Sequence, residues 1–367
     1  MDNIRYFCEV KTYFMKTCGI CLTLLAIMTV AGCKGGNAAK EAADPSDISA
    51  DLIDSCFIYT DRTVINSCHA STLVETSDGV LAAWFGGAWE GHPSVNIYTS
   101  RYSGGTWSEP VEAANGVETE YVRNPTWNPV LHKLSDSRMV LYYKVGPCVS
   151  RWAGDYKISE DDGHSWSERR KIPDNLLGPI KNKPITLSNG DILYPTSIEY
   201  DGIWKVYIEK SDRNLDSWRK IPVENSGFNA IQPAILKHGD GSLQMLCRSR
   251  DSVIVQSWSK DEGETWSAMS TTALPNNNSG LDAVTTSTGI HLLIYNPITS
   301  GRYKLALAGS HDGVNWKDLL VLENDPDTGN EYSYPAIIEG HDGTIYVSYT
   351  YKRQLIKFAI IRLNTQQ

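Results

Sequence analysis

The chain has 367 residues, 41% of them apolar, and a formal net charge of −9. That is ample for one large domain, and an acidic chain with no basic run or basic–aromatic stripe is not built to bind nucleic acid. It holds no His-Glu-x-x-His pair and no glycine-rich nucleotide loop, so neither a metal nor an organic cofactor is expected.

Met15-Lys16 leads into the apolar run Cys21–Val30, followed by Ala31-Gly32-Cys33. A run of this length that ends on small residues reads as a secretory signal, not a membrane-spanning helix. Residues 1–32 are expected to be that signal, 33–50 a flexible tether of Gly, Ala, Asn, Lys, Asp, Pro and Ser, and 51–367 the folded domain. Four cysteines fall in the domain, Cys56, Cys68, Cys148 and Cys247. Export permits disulfides, but the spacing matches no Cys-x-x-Cys or Cys/His metal pattern. Buried free thiols are expected, with a Cys56–Cys68 bridge as the alternative.

From residue 70 onward the chain reads as short strands rich in β-branched and aromatic residues. Thr72–Thr76, Gly79–Phe85, Arg138–Lys144, Asp191–Thr196, Leu243–Arg248 and Thr344–Thr350 are examples. The turn pairs Asp78-Gly79, Asn189-Gly190, Asp240-Gly241 and Asp342-Gly343 precede several of them, as hairpins require.

One motif repeats. Ser159–Trp166 (SEDDGHSW) returns as Ser259–Trp266 (SKDEGETW), a Ser-x-Asp-x-Gly-x-x-Trp box. Looser copies begin at Ser100, Ser211 and Ser310, so the box recurs about every fifty residues, the signature of a propeller or array. Asp and Ser side chains can bond backbone N–H groups in a tight turn, and Trp buries a large face against the sheet. The box is expected to clasp two strands of one blade and to carry no chemistry. Five boxes plus a closing segment predict an all-β, six-bladed β-propeller of four-stranded antiparallel blades. The imperfect repeats leave five and seven open.

The boxes and their period resemble the sialidase superfamily, also called BNR or Asp-box proteins, over about residues 55–362. The runs that carry the resemblance are Ser67–Leu73, Trp84–Gly87, Trp127–Val130, Gly178–Pro184, Ile231–Leu236, Ser279–Val284 and Glu331–Ala336. Val30–Cys33 resembles a bacterial lipobox. This implies cleavage before Cys33, lipid on its sulfur, and a monomer at the cell envelope, on the outer membrane or its periplasmic face, that meets the membrane only through the anchor.

The resemblance implies a site in which arginines grip a sugar carboxylate and a tyrosine attacks the anomeric carbon. A neutral tyrosine meets less repulsion from that carboxylate than Asp or Glu would, but with a reference pKa near 10 it needs a base beside it. Position by position, Tyr332 matches the nucleophile, Arg302 the third arginine and Arg248 the second, with Arg250 the fallback on the same strand face. Two positions depart from the pattern. His69 stands where the family has its first arginine, and Gln232 stands where a glutamate should activate the tyrosine. The loop Trp89–His92 offers Glu90 and His92 as acid/base groups. His69 suits a carboxylate contact or base work. Lys181 and Lys183 are candidates to line the same mouth, Asp282 is a candidate carboxylate partner, and Trp127, Asn128 and Asn296 are candidates for sugar faces and hydroxyls.

Three functions fit these residues. The first is an exo-acting glycoside hydrolase of sialidase type that removes a terminal acidic sugar, sialic acid or a related 2-keto-3-deoxy sugar acid, from a glycan. The second is a propeller lyase or hydrolase acting at a uronic-acid linkage, in which a His–Tyr pair supplies base and acid. The third is a glycan-binding lipoprotein without catalysis, motivated by the missing glutamate.

Overall fold

The computed structural model describes residues 44–365. The expected signal segment and Cys33 lie outside them. The described chain is a six-bladed β-propeller, as the repeats predict. Each blade is an antiparallel sheet, and in blades 1 to 5 the strands run in sequence order from the axis outward. The innermost strands are Ser67–Thr76, Thr126–Lys133, Ile185–Thr186, Ala230–Lys237, Asp282–Thr285 and Tyr332–Glu339, in blades 1 to 6. In blade 1 the outer edge is split, with Thr106–Trp107 and Val111–Ala114 both pairing with Asn96–Ser103.

The ring is closed by sequence-distant strands. Ile48–Phe57 pairs antiparallel with Leu355–Thr365 and completes blade 6. The tether expected over 33–50 therefore gives way to a strand at Ile48. Lys317 Nζ donates to Ser46 O and Ile48 O, and His311 meets Asp47 at 2.7 Å, so blade 5 also grips the closing segment.

The apolar cores sit largely between blades. Val130, Tyr142 and Tyr156 of blade 2 pack with Ile192 and Tyr194 of blade 3, and Leu292, Ile294 and Leu305 of blade 5 pack with Ile337, Val347 and Tyr349 of blade 6. Cys56, Cys68, Cys148 and Cys247 are free thiols, and the alternative Cys56–Cys68 bridge does not form.

The boxes are turns between the third and fourth strands of a blade. Ser159 Oγ donates to Asp161 Oδ1 and accepts from Gly163 N, and Asp161 Oδ1 accepts from Ser165 N. The Ser259 box repeats each bond, and Trp266 Nε1 donates to Gly263 O. The glycine serves two ends. Gly163 and Gly263 sit at φ 86° and 82°, and an added Cβ would lie 2.6 Å from Leu81 and 2.3 Å from Leu193, each on the preceding blade. The box thus clasps its own hairpin and lets the neighbouring blade approach. It lies at the end where the inner strands finish, opposite the end where they begin.

Candidate active site

The inner strands of blades 1, 2, 4 and 6 are bulged near their start. The register slips between His69 and Thr72, between Trp127 and Val130, between Ile231 and Ala234, and between Ser333 and Ala336. Each bulge holds one non-glycine residue at positive φ: Ala70 at 55°, Asn128 at 36°, Gln232 at 55° and Tyr334 at 51°. Such residues are sparsely populated and cost about 1–3 kcal/mol each, a strain that gathers where side chains must be aimed. Here the bulges turn Gln232 and Tyr334 toward the axis.

Tyr334 is where the blades converge. Arg248 Nη1 donates to its phenol oxygen at 2.8 Å and Gln232 Nε2 donates to it at 3.1 Å. Arg248 Nη1 also donates to Gln232 Oε1, and Arg248 Nε to Asn278 Oδ1. The His69 ring lies 3.9 Å from the Tyr334 ring, centroid to centroid. Lys181 Nζ is 5.9 Å and Arg302 Cζ 6.0 Å from the Tyr334 ring. Gly280 lies against this cluster, where a Cβ would come 3.3 Å from Tyr334 Cδ2 and 3.4 Å from Gln232 Oε1.

A third guanidinium joins this group. Arg353 Nε meets Glu331 Oε1 at 2.5 Å and Arg353 Nη1 meets Glu90 Oε2 at 2.5 Å, while Arg302 Nη1 is 3.6 Å from Glu331 Oε1. Burial works against a charged Glu331, but Arg353 and Arg302 hold its carboxyl below the usual range. The same cations act on His69. Burial first, then Arg353, Arg302, Arg248 and Lys181, push it well below its ordinary value, so the imidazole is neutral. Its Nδ1 is 2.9 Å from Thr350 Oγ1, and its buried Nε2 meets no partner among the described residues.

The segment Gly178–Pro184 forms the floor. Lys181 Nζ donates to Asn182 Oδ1, Leu281 O and Pro335 O, and burial brings its pKa down to about 7. Asn182 Nδ2 donates to Gln232 O and Pro233 O. Lys183 forms an ion pair with Asp282 at 2.8 Å, and Asp282 also accepts from Ile337 N. Blade 3 is thereby pinned across the axis to blades 4, 5 and 6. Behind it, Glu209 accepts from Leu177 N and Gly178 N, and Lys144 Nζ donates to Pro179 O at 2.7 Å.

Several expected residues are placed differently. Tyr332 is buried in the blade 6 core, donates to Asp325 Oδ2 at 3.0 Å and lies tilted against Tyr351, ring centroids 5.1 Å apart. Burial and that acceptor raise its pKa, and the phenol held by Arg248 and Gln232 belongs to Tyr334. Asp282 is committed to Lys183 and backbone, and Asn296 Nδ2 donates to Lys304 O and Tyr332 O, so both brace the scaffold. Arg250 stacks on Trp204 at 3.9 Å and donates to Gly202 O. His92 Nδ1 lies 2.7 Å from Ser94 Oγ, with its ring on the exposed Trp89, while Glu90 reaches Arg353. Trp127 is buried, its indole donating to Gly146 O, and Asn128 holds the blade 2 bulge. Arg248, Arg302, Gln232, His69 and Lys181 come together as expected.

Sequence reading missed three residues. Tyr334 could have been found from a shared pattern, since Asn128-Pro129, Gln232-Pro233 and Tyr334-Pro335 each place a bulge residue before proline. Arg353 sits in a hairpin turn beside Lys352, both at positive φ, and strand periodicity gives no sign of it. Glu199 is half-buried. Burial raises its carboxyl above the usual range, against the pull of Arg248 and Arg250 and with a smaller push from Glu90. Among the described residues no group of three His, Cys, Asp or Glu side chains is arranged to hold a metal.

The model of the BNR repeat-like domain matches residues 78–347. No curated protein matches the chain. Among solved structures, a protein of unknown function from Dyadobacter fermentans is 15% identical with a TM-score of 0.70, over 87% of this chain and 100% of that one. The Hadza microbial sialidase Hz136 is 19% identical with a TM-score of 0.68, over 82% of this chain and 66% of that one. The intramolecular trans-sialidase of Ruminococcus gnavus is 16% identical with a TM-score of 0.65, over 86% of this chain and 98% of that one. At these identities the likeness is one of fold. With the family model covering most of the propeller, the chain belongs to the BNR repeat-like domain family.

Proposed function

We propose that this protein is an exo-acting glycosidase that removes a terminal acidic sugar from a glycan, with Tyr334 as the nucleophile. The observation that supports this most is the gathering of Arg248, Arg302 and Arg353 around one phenol. Guanidinium forks suit a carboxylate bidentately, so a sialic acid or related keto-sugar acid is the favoured ligand. Arg248 and Gln232 both direct donors at the phenol oxygen, and as that oxygen becomes the nucleophile its proton passes to a water molecule at the mouth. The Tyr334 oxygen forms a bond to the anomeric carbon as the glycosidic carbon–oxygen bond breaks, and the Arg248 guanidinium stabilises the charge that develops. Glu199, whose carboxyl burial raises above the usual range, is the group assigned to give a proton to the leaving oxygen. Glu90 positions Arg353. Water then releases the sugar from Tyr334.

A second reading is favoured by the His69–Tyr334 ring contact and by Gln232 in place of a base. It is β-elimination at a uronate, with the neutral His69 imidazole taking the proton, the Tyr334 phenol protonating the leaving oxygen and the guanidiniums neutralising the carboxylate. A panel of fluorogenic ketosides and uronate-rich oligosaccharides separates the two. Fluorophore release without ultraviolet absorbance from an unsaturated uronate is expected. Unsaturated product would replace hydrolysis with elimination, and binding in calorimetry with no product by mass spectrometry would replace both with a glycan-binding role. Lipid on Cys33 would hold this activity at the cell envelope. Metabolic labelling with an alkynyl fatty acid is expected to mark the protein and to fail in Cys33→Ala.

A further inference from the structure

The axis has a second mouth, at the end where the inner strands finish. A cavity of about 410 Å³ opens there, within the size range of small-ligand sites. Its walls come from the inner strands of blades 6, 1 and 2 and from Pro184 just before that of blade 3. Tyr334, Arg248, Arg302 and Arg353 are not among its lining residues. Lys183 lines this cavity, and its ion pair with Asp282 spans the axis.

We infer that this opposite mouth is a separate binding pocket for a neutral sugar. Three features carry the inference. First, Val74, Leu131, Pro184 and Ile338 form an apolar wall of the kind that receives the face of a pyranose ring. Second, donors and acceptors converge around that wall with balanced charge. Lys133 and Lys183 stand against Glu75 and Glu339, the His341 ring lies 2.6 Å from Glu75 Oε1, and the His132 imidazole, pushed down to about 4 mainly by burial, stays uncharged. The Tyr334 mouth instead gathers three guanidiniums and a lysine, of which Arg353 and Arg302 meet Glu331 and Glu90 while Arg248 has no carboxylate partner among the described residues. An anion gains at that mouth and gains nothing here, whereas hydroxyl groups need the mixed donors and acceptors that this pocket offers. Third, the groups are held in place. His132 Nε2 is 3.2 Å from Thr186 Oγ1, Glu75 Oε1 accepts from His341 N, and Glu339 accepts from Ser287 N and Oγ. Lys133 is the looser member, 3.6 Å from Asp162.

The pocket is tested by saturation-transfer NMR and calorimetry on the wild-type chain. The probes are the methyl glycosides of galactose, glucose, mannose and N-acetylglucosamine, with N-acetylneuraminic acid as the acidic control. At least one neutral glycoside is expected to bind saturably, with a Kd of millimolar order. The solvent-facing double variant Glu75→Gln/Lys133→Ala should weaken that binding about tenfold or more, and Leu131→Trp, which fills the cavity, should abolish it. Tyr334→Ala should leave it unchanged while removing binding of the acidic control. No saturable binding of any neutral glycoside would overturn the pocket. So would binding that Tyr334→Ala removes and Glu75→Gln/Lys133→Ala does not, or binding of the acidic sugar alone. Loss of the acidic control with retention of the neutral sugar bears only on the Tyr334 mouth, so failures of the two sites are distinguishable.

Discussion

Arg353 joins three acidic and basic elements at one atom group: Glu90 from blade 1, Glu331 at the start of blade 6, and through Glu331 the guanidinium of Arg302. Removing it takes one fork from the carboxylate and frees the Glu90 loop. Arg353→Ala is expected to raise KM about tenfold or more, read from steady-state kinetics on a cleaved ketoside. Under the proposed mechanism Glu199 would govern the alkaline side. A carboxyl raised by burial is protonated at lower pH and loses its proton as pH climbs through its raised pKa, so turnover falls there. Glu199→Gln should lower kcat about a hundredfold and flatten the alkaline limb of the pH–rate profile. Arg353 and Glu199 carry no signal in the sequence, but Arg248, Arg302 and Gln232 were legible as types and blades from the resemblance, with the boxes giving the register. The tyrosine was not. In a regular strand Tyr332 and Tyr334 share a face, but the bulge between Ser333 and Ala336 places them on different sides, Tyr332 in the core and Tyr334 at the axis. Strand parity alone cannot foresee a bulge, though proline after Tyr334 marks its place.

At the scale of the element, the box is a structural device whose chemistry is hydrogen bonding and close approach. Ser259 and Asp261 bond backbone N–H groups of the turn, and Gly263 lets Leu193 of blade 3 come near. Gly263→Ala adds a Cβ at positive φ and 2.3 Å from Leu193 Cδ1. It should cost about 2 kcal/mol or more by urea denaturation, with catalytic constants unchanged because Tyr334 lies at the other end of the inner strands. Ser259→Ala leaves Gly263 N without its side-chain acceptor and should cost about 1–3 kcal/mol. This part of the molecule was fully legible, since Ser, Asp, Gly and Trp each do in the turn what their side chains predict. The floor segment Gly178–Pro184 was not. Lys144 and Glu209, which hold its backbone, come from strands of blades 2 and 3, and no local pattern connects them to it.

The whole molecule is a ring closed by Ile48–Phe57 against Leu355–Thr365. A chain beginning after Phe57 loses a full edge strand and should unfold without a cooperative transition in calorimetry. The ring also holds neutral histidines. His69 is pushed well below its ordinary value, and His132 and His291 are pushed down to about 4, each mainly by burial. The unfolded chain binds these protons at higher pH than the folded one. Stability from keeping them neutral is therefore complete above about 6.5 and is lost as pH falls toward the folded values. The thermal midpoint should drop between pH 7 and pH 5, and it should drop less in His291→Gln. The most direct measurement of the central site compares Tyr334→Phe and Tyr332→Phe on a ketoside that the wild type cleaves. Tyr334→Phe should abolish turnover while the protein stays folded and still binds the acidic sugar, and Tyr332→Phe should retain most activity. Unchanged turnover in Tyr334→Phe, or its loss in Tyr332→Phe alone, would contradict the assignment of the nucleophile to Tyr334.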